Sequence, residues 1–253
     1  MPKVSGIKSI KISCSQCSLS QQCLPRGLNA EEVEMFSAIV KRKHPISKGD
    51  TVFEIGQPFN SLYVIRAGSA KLLLRSNDGN EQVVGFHMPG KLLGFDAMGH
   101  DRHCSSAVVL ESSSICELPY NRLHILAQEL PSLREHLMAL MSHEIADEHA
   151  IMLMLTKKTA EARIAMFLLN LSARFNKLGF STKQFNLSMS RNDIANYLGL
   201  AVETVSRIMT HMQEEGVIEV DRRFVNIVAM PSLRALAELA TNQPLPSGAI
   251  YTE

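Results

Sequence analysis

Ser190-Arg-Asn-Asp-Ile-Ala-Asn-Tyr-Leu-Gly-Leu-Ala-Val-Glu-Thr-Val-Ser-Arg207 decides how the rest of this chain is read. Ser190 is a good N-cap, able to accept a hydrogen bond from an otherwise unpaired N–H of the first turn. It opens a short helix that runs to Leu198. Gly199 supplies the turn, a second helix spans Val202 to Glu215, and Gly216 ends it. Val217-Ile-Glu-Val220 and Phe224-Val-Asn-Ile-Val228 then flank Asp221-Arg-Arg223, the pattern of a two-stranded wing. A periodic helix from Ala160 to about Gly179 precedes the motif. On the second helix, Glu203, Ser206 and Arg207 stand at i, i+3 and i+4 and so share one face. In a helix-turn-helix that helix enters the major groove of DNA.

Charge agrees with this reading in sign. The chain carries a net charge of only +1, but residues 156–234 hold eleven Lys or Arg against seven Asp or Glu, an excess of about +4, which leaves about −3 elsewhere. With 253 residues, 45% of them hydrophobic, the chain can bury the cores of one or two domains. No apolar run approaches the roughly 18 residues of a membrane span, and the first residues lack the apolar stretch of a signal peptide. A cytoplasmic protein without a membrane partner is expected.

Upstream, the period changes. Asn29 caps a short helix with Glu31 and Glu32 in its first turn, running to about Val40. From Pro45 to about Leu118, short β-rich runs (Thr51-Val-Phe53, Leu62-Tyr-Val-Ile65, Ala70-Lys-Leu-Leu-Leu74, Gln82-Val-Val-Gly-Phe86) alternate with turn signals at Gly49, Gly56, Gly68, Gly79, Gly90 and Gly94. This predicts a small antiparallel barrel or roll. After Pro131, Leu133, Leu137, Leu140, Met141, Ile145, Ile151, Met152 and Leu155 recur mostly at three- and four-residue spacing, one amphipathic helix of about 25 residues. Such a helix either packs on its own domain or, since it joins two unlike halves, forms a seam between two protomers through Leu137, Met138, Met141, Ile145, Glu148 and Met152. Glu144 and Glu148 interrupt the stripe. Either both turn to solvent, or they face their own copies and weaken the dimer.

Cysteine usage is the second strong signal. Cys14, Cys17 and Cys23 form a C-x2-C-x5-C run, and Cys116 returns much later. In a reducing compartment such thiols serve as ligands for a soft metal or an iron–sulfur cluster more readily than as disulfides. Four thiolates would also suit zinc. Cys104, the fifth, is read as a spare thiol. His87, His100, His103, His136, His143 and His149 are scattered and read as solvated. No nucleophile–base pair or phosphate loop points to an enzyme.

The stretches Cys14-Ser-Gln-Cys17-Ser-Leu-Ser-Gln-Gln-Cys23, Ile115-Cys116-Glu-Leu-Pro119, the helix from Leu133-Arg134 to Leu155 with Thr156-Lys-Lys158, and Asn196 to Arg207 together resemble the FNR (fumarate and nitrate reduction) regulators of the cyclic-AMP receptor protein superfamily. The resemblance covers nearly the whole chain. It implies an α+β fold: an N-terminal antiparallel β-roll of the double-stranded β-helix, cyclic-nucleotide-binding-like type, a long dimerisation helix and a C-terminal winged helix-turn-helix. The expected divisions are a Cys-rich segment 1–28, a roll 29–130, a dimerisation helix 131–158, a DNA-binding domain 159–236 and a tail 237–253.

The resemblance further implies that Cys14, Cys17, Cys23 and Cys116 hold a [4Fe–4S] cluster, which oxygen converts to [2Fe–2S] and then strips, weakening the dimer; nitric oxide attacks it too. It implies that Glu203, Ser206 and Arg207 read TTGAT-type half-sites arranged as an inverted repeat in double-stranded DNA. Arg207 suits guanine O6 and N7, and Glu203 suits cytosine N4. Thr204, Ser190 and Arg191 are candidate phosphate contacts. RNA polymerase is the further partner, with the turn Arg75 to Gly79 as a candidate patch. A cyclic-nucleotide, haem or zinc/thiol sensor of the same superfamily is the alternative. For a nucleotide, Gly94-Phe95-Asp96 and Ser105-Ser106-Ala107 occupy the corresponding stretches, and Ser105 stands where a phosphate-binding arginine belongs.

Overall fold

The computed structural model describes residues 13–42, 45–76 and 78–238. Residues 1–12 of the Cys-rich segment, Asn77 of the polymerase-patch turn and most of the expected tail lie outside the described residues. The described residues open with a 3-10 turn, Cys14–Gln16, and helix α1, Ala30–Ile39. Asn29 caps α1 in a reciprocal box: its side chain accepts from the Glu32 N–H, while the Glu32 carboxylate accepts from the Asn29 N–H.

The roll consists of two antiparallel four-stranded sheets. One has the order β1 (Lys41–Arg42), β8 (Ser114–Pro119), β3 (Ser61–Ala67), β6 (Leu92–Leu93). The other runs β2 (Thr51–Phe53), β7 (Ser106–Val109), β4 (Ala70–Arg75), β5 (Glu81–His87). Tyr63, Ile65, Phe53, Ala107 and Val109 fill the space between them. Leu62 and Val64 face the other way, under α1 and the helices that follow the roll. Both faces of β3 are thus covered, which is why Leu62-Tyr-Val-Ile65 shows no polar alternation. Gly68 links β3 to β4 at φ +86, and a side chain there would run into Ser113.

Helix α2, Tyr120–Glu129, went unread in the sequence. Its Leu123 and Leu126 close the second core, but ten residues ending at Leu130-Pro131 give little periodicity to detect. Helix α3, Pro131–Lys157, is the long helix, with Pro131 at its first turn. The C-terminal domain comprises α4 (Ala160–Lys177), β9 (Gln184–Asn186), α5 (Arg191–Leu198), α6 (Val202–Glu214), β10 (Ile218–Asp221), β11 (Phe224–Ile227) and α7 (Met230–Glu238). The expected two-stranded wing is a three-stranded sheet, because Phe185 and its neighbours pair with β11. The boundary expected at 236 falls inside α7, whose Leu233 and Ala237 are buried. No helix among the described residues is long and apolar enough to cross a membrane.

Candidate functional site

Two constellations carry the chemistry. The first gathers the thiols of an N-terminal arm and a roll strand. Leu24, fully buried, anchors the arm among Phe36, Leu62, Leu118 and Leu133. Cys14 follows from the 3-10 turn, where its N–H donates to Ser37 Oγ at 3.2 Å. The Cys23 N–H donates to the Leu19 carbonyl at 2.8 Å. On β8, Cys116 lies opposite Arg42 of β1 and Val64 of β3. Cys14, Cys23 and Cys116 are partly buried against the same apolar core, and each feels the charge of other members of the set; Cys17 acts on all three. All four are free.

Burial pushes three of the thiols up. It raises Cys14 despite the Ser37 hydroxyl and Arg42, raises Cys23 to about 12, and raises Cys116 despite Arg42. A metal that binds here must displace those protons. Among the described residues, no three His, Cys, Asp or Glu side chains converge tightly enough to hold a single metal ion. The donor set itself fits a cluster of several irons: four soft thiols, an apolar wall and Arg42 to offset negative charge. Arg42 went unread because its place beside Cys14 and Cys116 depends on the β1–β8 register. The arm also touches the long helix: the Arg26 carbonyl pairs with His136 Nδ1 at 3.1 Å. Cys104 stands apart and exposed, with its N–H donating to Asp96 at 3.0 Å.

The second constellation is the helix-turn-helix. Ser190 caps α5 through a reciprocal box with Asp193, its hydroxyl accepting from the Asp193 N–H at 3.1 Å and donating to the carboxylate at 2.6 Å. Gly199 takes the left-handed conformation, φ +62, that turns the chain into α6. Val205, Met209 and Met212 hold α6 in the core, which leaves Glu203, Ser206 and Arg207 exposed along one face. Thr210 extends this stripe and was missed, although the same spacing predicts it. Glu203 and Arg207 form no ion pair with each other among the described residues. Thr204 is half-buried. The Ser190 hydroxyl takes part in its cap, and the Arg191 guanidinium lies against the Met209 sulfur.

The long helix splits its apolar residues. Leu133 and Leu137 lie in the chain's own core, which removes Leu137 from the open face. Met138, Ile145 and Met152 are 66%, 53% and 61% exposed at seven-residue intervals, with half-buried Met141 between them. The two glutamates also part company. Glu144 turns to the roll and pairs with Lys91 at 3.1 Å, as Asp147 does at 3.2 Å. Glu148 stays on the exposed side, where partial burial and Glu144 raise its carboxyl. The histidine reading needs correction as well: His87 and His103 are buried, because their strand and loop positions point inward.

Residues 162–236 match the Crp-like helix-turn-helix domain family, and residues 43–129 match the cyclic nucleotide-binding domain family. The chain is 50% identical over 224 residues to the transcriptional activator protein Anr of Pseudomonas protegens, covering 88% of this chain and 92% of the relative. It is 45% identical over 226 residues to the fumarate and nitrate reduction regulatory protein of Salmonella typhimurium, covering 89% and 90%. The chain belongs to the CRP/FNR family, in its FNR-type branch. FixK2 from Bradyrhizobium japonicum has the same fold, with a TM-score of 0.72 at 26% identity over 78% of this chain and 97% of that one. This FNR-type chain is therefore a transcription regulator that binds DNA through its helix-turn-helix. Its nucleotide-like corner is closed on itself: Asp96 Oδ2 accepts from Ser105 Oγ at 2.7 Å and from the Cys104 N–H. Ser105, which stands where a phosphate-binding arginine belongs, is thus engaged with a carboxylate of its own chain.

Proposed function

We propose that this regulator senses oxygen through an iron–sulfur cluster held by Cys14, Cys17, Cys23 and Cys116, and that it binds inverted-repeat operators of the TTGAT type as a homodimer when the cluster is present. When bound, a [4Fe–4S] cluster, convertible to [2Fe–2S], supplies four iron–thiolate links and a chemistry that oxygen or nitric oxide destroys. The chain's own residues do the rest. Leu24 and Ser37 seat the arm, Arg42 offsets the negative charge of the thiolates, and His136 ties the arm to the start of α3. The arm therefore bears on the same helix that exposes Met138, Ile145 and Met152 for a partner copy, with Met141 beside them. Glu148 on that face opposes its own copy, so association stays weak unless the arm is clamped. In the dimer, Arg207, Glu203 and Ser206 read each half-site, with Thr204 beside the phosphates. The exposed turn next to Arg75 offers a contact for RNA polymerase.

One observation carries this reading: Cys14, Cys23 and Cys116, free thiols from two distant stretches, pack against one apolar core next to the long helix, with Arg42 opposite Cys116 and Cys17 on the same arm. Anaerobic reconstitution with iron and sulfide tests it. About four irons per chain, visible charge-transfer absorption and operator binding that all disappear on exposure to air are expected. A colourless, iron-free protein that binds its operator fully would refute the cluster, leaving the cyclic-nucleotide, haem or zinc/thiol alternatives.

A further inference from the structure

The roll and the helix-turn-helix of one chain are joined by a polar contact that the reading above does not use. Strand β5 ends its sheet, so its outward backbone groups have no strand partner. A single side chain takes two of them. The Val83 N–H donates to Asn196 Oδ1 at 2.5 Å, and Asn196 Nδ2 donates to the Glu81 carbonyl at 2.8 Å. Residues 81 and 83 present their outward groups at the two-residue repeat of a strand, and the amide answers them as a neighbouring peptide would. Gln82 Nε2 reinforces the contact by donating to the Asn196 carbonyl at 2.6 Å. Around it, Lys71 pairs with Asp193 at 2.6 Å, and Ser69 Oγ donates to Ser188 Oγ at 2.7 Å. Arg174 donates to the Phe86 carbonyl at 2.5 Å, and the Phe86 ring lies 5.1 Å from that of Tyr197. At the hinge, Arg163 donates to the carbonyls of Leu155 and Lys158 at the end of α3, at 2.7 and 3.1 Å, and to Leu198 at the end of α5, at 2.9 Å.

The helix-turn-helix is thus fixed at two points, one on the long helix and one on the roll's sheet edge. We propose that Asn196 is a positioning residue for operator recognition: docked on the edge of β5, it sets the angle at which α6 projects from the roll and thereby the half-site separation that the dimer accepts. This rests on the dimeric reading given above. Two α6 helices reading an inverted repeat must lie about one helical turn of DNA apart, roughly 34–36 Å, and each inserted base pair moves one site by about 3.4 Å and turns it around the axis. A rigid mount rejects that change; a loosened one follows it.

Asn196→Ala removes both amide bonds at a half-buried position of α5 where alanine favours the helix and opens no apolar cavity, so the fold is retained. Gln82→Ala weakens the same contact from the roll side without touching the DNA-binding domain. Reconstituted full-length protein is titrated under anaerobic conditions against operators with the natural spacer, with spacers one base pair longer or shorter, and against a single half-site. Wild type should lose about tenfold or more in affinity with each altered spacer. In Asn196→Ala that loss should shrink to about threefold or less, with Gln82→Ala in between, while iron content and single-half-site affinity stay at wild-type values. Residual dipolar couplings on the cluster-free, DNA-free chain read the mount without any dimer: one alignment should describe both domains in wild type and fail to do so in Asn196→Ala. Unchanged spacer discrimination, an unchanged common alignment, or tighter operator binding by Asn196→Ala would each overturn the proposal. A wild type that prefers no paired half-sites would count against the dimeric reading, and the couplings would still decide the role of Asn196.

Discussion

The two sheets of the roll engage the rest of the chain by different physics. The outer face of the β1-β8-β3-β6 sheet takes the N-terminal arm and the helices through apolar packing, with thiols set into it. The β2-β7-β4-β5 sheet takes the DNA-binding domain partly through the apolar residues Leu73, Val83 and Phe86 and partly through hydrogen bonds that the polypeptide completes by itself. The second contact is finished when the chain folds. The first leaves thiols whose protons burial favours, and in the proposed function a bound cluster would complete it. The proposed oxygen sensing needs one joint of each kind: one open to chemistry and one that transmits without adjustment.

The comparison breaks most completely at the thiols. Cys17→Ser should abolish iron loading and anaerobic operator binding while leaving the unfolding of the DNA-binding domain unchanged, as read by iron assay, gel shift and circular dichroism. Full visible absorption with wild-type affinity would remove Cys17 from the ligand set. Leu24→Ala, which empties the arm's anchor, should cost about 2–5 kcal/mol in the arm's docking, seen as faster hydrogen exchange across the arm and α1.

The other sheet responds to acid. His87, at the end of β5, is fully buried, and burial is the main cause that lowers it to about 4; Arg174 and Lys91 act in the same direction, against Glu144 and Asp147. The unfolded chain takes up this proton near 6.5, whereas the folded chain refuses it until about 4. Stability from this group is therefore full above about pH 6.5 and falls as the pH drops towards 4, by about 3 kcal/mol in all. His87→Gln should flatten that dependence in denaturant titrations, and an unaltered acid slope would show that another group is responsible. Arg207→Ala should weaken operator binding by about 1–3 kcal/mol and erase selectivity at one guanine, measured with half-site variants. The smallest effect is expected from Glu148→Ala, which should tighten the DNA-free dimer by about 1 kcal/mol in sedimentation equilibrium. A looser dimer would place Glu148 outside the seam.

Local chemistry made much of this legible in the sequence. The Asn29 and Ser190 caps, the turn at Gly199 and the Met138–Ile145–Met152 spacing act within a few residues, so they can be read without a fold. Arg42, Asn196 and the fate of Glu144 could not be read that way. Each is defined by a partner tens of residues away, in the β1–β8 register, on the free edge of β5 or at Lys91. The third strand of the wing and helix α2 were missed because three-residue and ten-residue segments carry too little periodicity against their surroundings.

In the proposed mechanism, sulfur-held iron governs pairing and DNA grip together. Iron content, sedimentation mass and operator affinity should be followed on one sample, first prepared without oxygen and then exposed to air. An iron-loaded dimer that binds the inverted repeat tightly is expected, with a simultaneous fall in all three quantities as oxygen enters. Undiminished mass and affinity in protein that has lost its iron would contradict it.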